Sequence, residues 1–135
     1  MILNIAPCSK PRMTQRDKWK KRQCVVNYFA FRDRIRQELT TIYSDQLLGH
    51  GLDVIFKVEM PKSWSKKKKA KMAGEPMQSK PDIDNYIKAI LDSLNGVYFV
   101  DDRQVVEVFA SKKYSNEPRI LFKMMEMNND ERGDV

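Results

Sequence analysis

Asp82 and Asp84 stand one residue apart directly after Lys80-Pro81, and a second acidic pair, Asp101-Asp102, follows further along the chain. Between the pairs, Asp84, Lys88 and Asp92 recur at i, i+4 and i+8, the spacing of one helical face. Such carboxylates are hard oxygen ligands of the kind Mg²⁺ takes, one or two at a time, while it keeps several of its waters. A cation held this way can bind a phosphodiester oxygen, activate water and neutralise the charge that grows during displacement at phosphorus. Lys88, one turn beyond Asp84, is spaced to meet a scissile phosphate or its charged transition state. Carboxylates alone repel DNA, so they suit it only with a bound cation and a basic surround.

Each of these residues also suits a structural role. Asp82 can cap a helix N-terminus, where acidic side chains are favoured. Asp84 and Lys88 can be an ordinary surface pair. Asp101-Asp102 can be a turn chosen for its backbone geometry. A lone DxD is weak support for catalysis.

The basic surround is present. The chain is 135 residues long with a formal charge of +7, and that charge is concentrated. Residues 1–24 hold Lys10, Arg12, Arg16, Lys18, Lys20, Lys21 and Arg22 against Asp17. Residues 57–80 hold Lys57, Lys62, Lys66, Lys67, Lys68, Lys69, Lys71 and Lys80 against Glu59 and Glu75. Two such segments favour a polyanionic partner, because each phosphate contacted releases condensed counterions. A merely solubilising lysine surface is the plainer possibility. An anionic membrane fits less well, since few apolar anchors accompany the charges. Trp19 and Trp64 lie among lysines, suited either to stacking on exposed bases or to anchoring a rim.

The elements that would position these residues follow from periodicity. Ile2 to Ala6 reads as a first strand ended by Pro7, and residues 8–22 as a basic loop. Tyr28, Ile35, Leu39, Ile42, Tyr43 and Leu47 predict a helix from about Val25 to Leu48, stopped by Gly49-His50-Gly51, with Arg32, Arg34, Arg36 and Glu38 on a solvated face. Leu52 to Met60 alternates like a half-buried strand. Ser63 or Ser65 then begins a short basic helix that Gly74 can end. Residues 75–81 are an extended connection. Asp82 to Leu94 predicts a second clear helix with Ile83, Ile87, Ile90, Leu91 and Leu94 on its buried face, closed by Asn95-Gly96. A brief strand at Val97–Val100, a turn at Asp101-Asp102, a strand at Val105–Tyr114, a turn at 115–118 and a last strand at Ile120–Met125 complete the chain. The brief strand at 97–100 aside, the order β-α-β-α-α-β-β implies one α+β domain over residues 1–135, a mixed or mostly antiparallel sheet with packed helices. Residues 126–135 form an acidic tail.

Other classes are excluded or disfavoured. With 41% apolar and 32% charged residues, the chain suits a globular fold. No apolar run approaches the roughly 20 residues of a membrane-spanning helix. The first residues lack a basic leader and long apolar stretch, which predicts a cytoplasmic setting and free thiols at Cys8 and Cys24. His50 is the sole histidine and sits between glycines, as a loop residue would.

Taken together, Ser79-Lys80-Pro81-Asp82-Ile83-Asp84-Asn85, Lys88, Asp92-Ser93-Leu94-Asn95-Gly96 and Asp101-Asp102-Arg103-Gln104-Val105 resemble the signature of the RusA family of endodeoxyribonucleases. Pro61-Lys62-Ser63-Trp64-Ser65 is similar to the segment before that signature in phage and prophage members, and the resemblance takes in most of the chain. It implies a homodimer that resolves Holliday junctions, nicking two strands of four-way DNA symmetrically with Mg²⁺, or Mn²⁺ in its place. It implies three catalytic aspartates and a lysine, which fall on Asp82, Asp84, Asp102 and Lys88, with the aspartates as metal ligands. Asp101 is the alternative to Asp102, because the loop before that pair varies in length within the family. Asp92 matches a motif position that is either supporting or structural. Lys10, Arg12, Arg16, Lys62, Lys66, Lys67, Lys68, Lys69 and Lys80 are the expected DNA contacts. Shape and phosphates, rather than base edges, would then govern recognition. The same scaffold could instead serve as a non-catalytic junction-binding module or as a regulator that binds a protein partner.

Overall fold

The computed structural model describes residues 2–14, 22–42, 51–95 and 105–125. Its elements run β1 (Ile2–Leu3), α1 (Gln23–Ile42), β2 (Gly51–Glu59), α2 (Lys66–Met72), α3 (Ile83–Leu94), β3 (Glu107–Ser115) and β4 (Arg119–Met125). This is the expected α+β order. The anticipated strand at 97–100, the Asp101-Asp102 turn, the end of the first helix beyond Ile42 and the acidic tail lie outside the described residues.

The sheet is mixed, in the order β1-β4-β2-β3. β2 pairs in parallel with β3 and antiparallel with β4, which in turn pairs antiparallel with β1. The turn at 115–118 therefore joins two strands that flank β2 rather than pair with each other. Glu117 N–H donates to Ser115 Oγ at 3.1 Å, and that hydroxyl donates to Glu117 O at 3.0 Å, which tightens the crossing. β1 is shorter than expected: the backbone leaves the ladder after Leu3, although Ile5 remains buried.

Alternation along β2 directs Leu52, Val54 and Phe56 to one face, where Ile120 and Phe122 of β4 and Leu3 of β1 join them. Helices α1 and α3 cover that face with Tyr28, Phe31, Ile35 and Leu39 from α1 and Tyr86, Ala89, Ile90 and Leu94 from α3. The buried face of α3 is turned from the expected one. Tyr86, Ala89 and Ser93 are buried with Ile90 and Leu94, while Ile83, Ile87 and Leu91 lie at its margins. Tyr86 stacks on Phe56 with ring centroids 5.3 Å apart, and Ser93 satisfies its hydroxyl on Ala89 O at 2.7 Å. A polar residue and a tyrosine thus occupy positions that hydrophobicity alone leaves unassigned.

α2 buries no residue of its own. Ser65 caps it, accepting from Lys68 N–H at 3.2 Å, which resolves the choice between Ser63 and Ser65. Gly74 follows its C-terminus with φ of 84°, a left-handed conformation that glycine adopts without steric cost. A second small cluster of Met60, Met77 and Tyr114, with Trp64 and Met72 against it, docks this basic segment onto the sheet.

Candidate active site

α3 presents the acidic strip. Its burial of Ile90 and Leu94, each fully enclosed, contributes about 2–3 kcal/mol per side chain. An exposed i,i+4 ion pair is worth only about 0.3–0.5 kcal/mol. The core therefore sets the position of the helix, and the polar strip is free for other work.

Asp82 occupies the N-cap position of α3 with extended backbone, yet its side chain makes no capping hydrogen bond. Its carboxylate is exposed and has no partner among the described residues. Asp84, in the first turn, lies 3.6 Å from Lys88 Nζ, and both side chains are about 60% exposed (62% and 60%). Asp82, Asp84 and Lys88 thus line the open start of one helix. The helix N-terminus favours negative charge there. Asp101 and Asp102 fall outside the described residues, and no group of three His, Cys, Asp or Glu side chains converges among the described residues.

The entry to the strip is held from the sheet. Lys112 Nζ, on the helix-covered face of β3, donates to Ser79 O at 2.6 Å and to Pro81 O at 2.7 Å. Ser79 Oγ and Tyr114 Oη share a hydrogen bond of 2.8 Å. Residues 74–77 lie along the same strand: Gly74 N–H donates to Tyr114 O, Tyr114 N–H to Glu75 O, and Met77 N–H to Lys112 O. The basic helix α2 and the start of α3 therefore hang from one end of β3.

At the other end of the strip, Asp92 is half-buried and engaged. It accepts a short hydrogen bond from Tyr28 Oη and pairs with Lys10 Nζ at 2.7 Å. Partial burial works to raise the Asp92 carboxyl. Hydrogen bonds from Lys10 and Tyr28, with the charges of Lys10 and Arg36, outweigh it and hold the group below its usual range. The same contact, after burial, pushes the Tyr28 phenol well above its ordinary value. Lys10 N–H also donates to Asn85 O at 3.0 Å, so the N-terminal basic loop runs beside α3. Arg36 donates to the carbonyls of Asp92, Ser93 and Asn95 and closes the C-terminus of α3.

The expected DNA contacts separate accordingly. Arg12, Lys62, Lys66, Lys67, Lys68 and Lys80 are exposed, Lys69 is half-buried, and Arg16 lies outside the described residues. Lys10 is partly neutralised by Asp92. Trp64 is an anchor, packed against Tyr114 with centroids 5.0 Å apart and covered by Lys68 Nζ at 4.4 Å. Trp19 lies outside the described residues. Sequence reasoning missed Tyr28, Arg36, Ser79 and Lys112 as positioning residues. Their partners are remote in sequence, and periodicity carries no sign of such pairings.

No described helix is long and apolar enough to cross a membrane. Cys8 and Cys24 are free thiols, as expected. Part of the chain is similar to YqaN, an uncharacterized protein of Bacillus subtilis (strain 168), with 42% identity over 81 residues. That match covers 57% of this chain and 57% of YqaN, so it spans little more than half of the relative's length. The profile described as endodeoxyribonuclease RusA matches residues 4–125, a span that contains the acidic strip and every element from α1 to the last strand, and on that match the chain belongs to the RusA endodeoxyribonuclease family.

Proposed function

We propose that this protein is a metal-dependent endodeoxyribonuclease that resolves four-way DNA junctions by paired nicks, acting as a homodimer. The observation that carries this reading is the state of Asp82 inside a chain of the RusA family: a helix-capping position whose carboxylate does no capping. With Asp84 exposed beside it, α3 offers an all-oxygen donor set that suits a hard divalent cation. Asp82 and Asp84 would hold Mg²⁺ or Mn²⁺, with Asp102 as the third ligand and Asp101 as its alternative. What such a cation supplies when bound is Lewis-acid polarisation of the phosphodiester and neutralisation of growing negative charge.

The chain's own residues do the rest. Lys88 faces the same solvent as Asp84 and, released from that pair, donates to phosphate oxygens as charge develops on them. Lys112 and Tyr114 fix the Ser79–Pro81 entry, so the carboxylates start from a set position. Arg12 and the lysines of α2 hold the sugar-phosphate backbone without reading sequence. Two strands to cut and one acidic strip per chain call for a symmetric pair of subunits.

The deciding experiment incubates purified protein with a labelled synthetic four-way junction, in Mg²⁺ and in EDTA. Paired nicks in Mg²⁺, absent in EDTA and absent in Asp84→Asn, are expected. Junction binding without any cleavage would overturn catalysis and favour a binding module. Cleavage of both strands by a species that sediments only as monomer would overturn the dimer.

A further inference from the structure

The sheet face away from α1 and α3 carries a row of like charges. β2 and β4 place Lys57 directly opposite Arg119, and β2 and β3 place Lys57 directly opposite Lys113. Three cations therefore lie side by side across three adjacent strands, about 10 Å from end to end at the usual strand spacing. Like charges directly opposite one another destabilise a sheet. Local compensation is thin. Arg119 pairs with Glu117, and Glu59 lies two residues along β2 on the same face, exposed. Lys57 and Lys113 are half-buried, and neither makes an ion pair with another described residue. All three cations line one cleft of about 600 Å³, walled by Ala73, Gly74 and Tyr114 and by Ser115, Asn116 and Glu117 of the β3–β4 turn, so three cations share it with one carboxylate. The cleft opens where α2 ends, so its charges continue the band of α2 lysines around the corner of the sheet.

We propose that Arg119, Lys57 and Lys113 form a second phosphate-binding track that holds the sugar-phosphate backbone of a junction arm other than the one being cut. This inference rests on the nuclease reading above and adds a separate contact surface to it. The row and the acidic strip belong to opposite layers of the fold, and branched DNA, unlike one straight duplex, presents backbones to both. Half-buried lysine stems hold the ammonium groups in register, and a row of phosphates supplies negative charge beyond that of Glu59 and Glu117.

The test measures binding in EDTA to a four-way junction and to a linear duplex of equal length, across a salt series, for wild type and Lys57→Gln/Lys113→Gln. The variant is expected to bind the junction with a shallower dependence of log affinity on log salt, by about 1.8 per protomer bound, at about 0.9 for each phosphate it no longer neutralises. Its duplex binding should change less, and its melting temperature should hold or rise, because the like-charge row has been relieved. Lys57→Arg/Lys113→Arg should keep the wild-type slope. An unchanged slope in the Gln variant overturns the track, and equal changes on junction and duplex overturn its assignment to a second arm. Should the variant lose its fold, Lys113→Gln alone carries the same test at half the slope change. If wild-type protein fails to bind the junction at all, the parent reading falls instead.

Discussion

Lys10 Nζ lies 2.7 Å from the Asp92 carboxylate, joining the N-terminal basic loop to the helix that carries the acidic strip. The aspartate between Lys10 and Tyr28 is therefore a clasp between two segments far apart in sequence. This assigns Asp92 a structural part, distinct from the exposed carboxylates at the other end of α3.

The clasp has a definite pH dependence. The folded Asp92 carboxyl is held below its ordinary value. Its contribution is therefore complete above the unfolded aspartate pKa of about 3.9 and is lost as pH falls through the lower folded value. Asp92→Asn should cost about 1 kcal/mol near neutrality, since a half-buried pair is still partly screened by solvent and Asn still accepts from Tyr28. Urea midpoints of wild type and variant should converge in acid. A gap that persists unchanged at low pH would contradict the clasp.

Arg36 should matter more than a solvated helix arginine would. Removing it leaves three carbonyls at the C-terminus of α3 without their donor. Arg36→Ala should destabilise by about 1–2 kcal/mol. Arg36→Lys should recover only part of that, because an ammonium lacks the planar fork. Thermal unfolding indistinguishable from wild type would refute this role.

Asp82, Asp84 and Lys88 should separate by behaviour. Asp82→Asn and Asp84→Asn should lose cleavage by several orders of magnitude while the protein stays folded. Their junction binding in EDTA should survive or tighten, because negative charge facing phosphate is removed. Lys88→Ala should retain metal-dependent cleavage at a rate lowered by about a hundredfold to a thousandfold. Asp102→Asn should resemble Asp84→Asn and Asp101→Asn should be milder; the reverse order would move the ligand to Asp101. Full cleavage by Asp84→Asn would remove the strip from catalysis.

Lysines of α2 should report in the salt dependence. Lys66, Lys67 and Lys68 are exposed and α2 buries no residue, although Lys68 lies over the Trp64 ring. Replacing Lys66 to Lys69 with glutamine should flatten the slope of log affinity against log salt and cost no more than about 1 kcal/mol of stability, from the lost Lys68–Trp64 contact. A wild-type slope in that variant would take α2 out of the interface.

Much of this was legible in the amino-acid sequence because it depends on near neighbours. Alternation from Leu52 to Met60 specified β2, Pro61 its end, and the cap and glycine around the lysine run specified α2. The spacing of Asp82, Asp84 and Lys88 was enough to place them along one helix, since helical geometry is local. Concentrated charge favoured a polyanionic partner, because electrostatics of that kind survives averaging over conformations.

Only the tertiary structure decided what depends on residues meeting across the fold. Hydrophobicity pointed α3 inward by Ile83, Ile87, Ile90, Leu91 and Leu94; Ile90 and Leu94 are buried, while packing against Phe56 and α1 brings in Tyr86, Ala89 and Ser93 and leaves Ile83, Ile87 and Leu91 at the margin. The Tyr86 ring is buried against Phe56, a partner remote in sequence, whereas the Ser93 hydroxyl is satisfied within its own helix and needed only the packing that buries it. The short turn at 115–118 left the pairing of its two strands open, and β2 lies between them. That insertion alone brings Lys57 into line with Lys113 and Arg119. Local chemistry thus determined the helices, the strands and the acidic strip, while long-range pairing decided which charges share a face, because register between distant strands is set by the whole sheet at once.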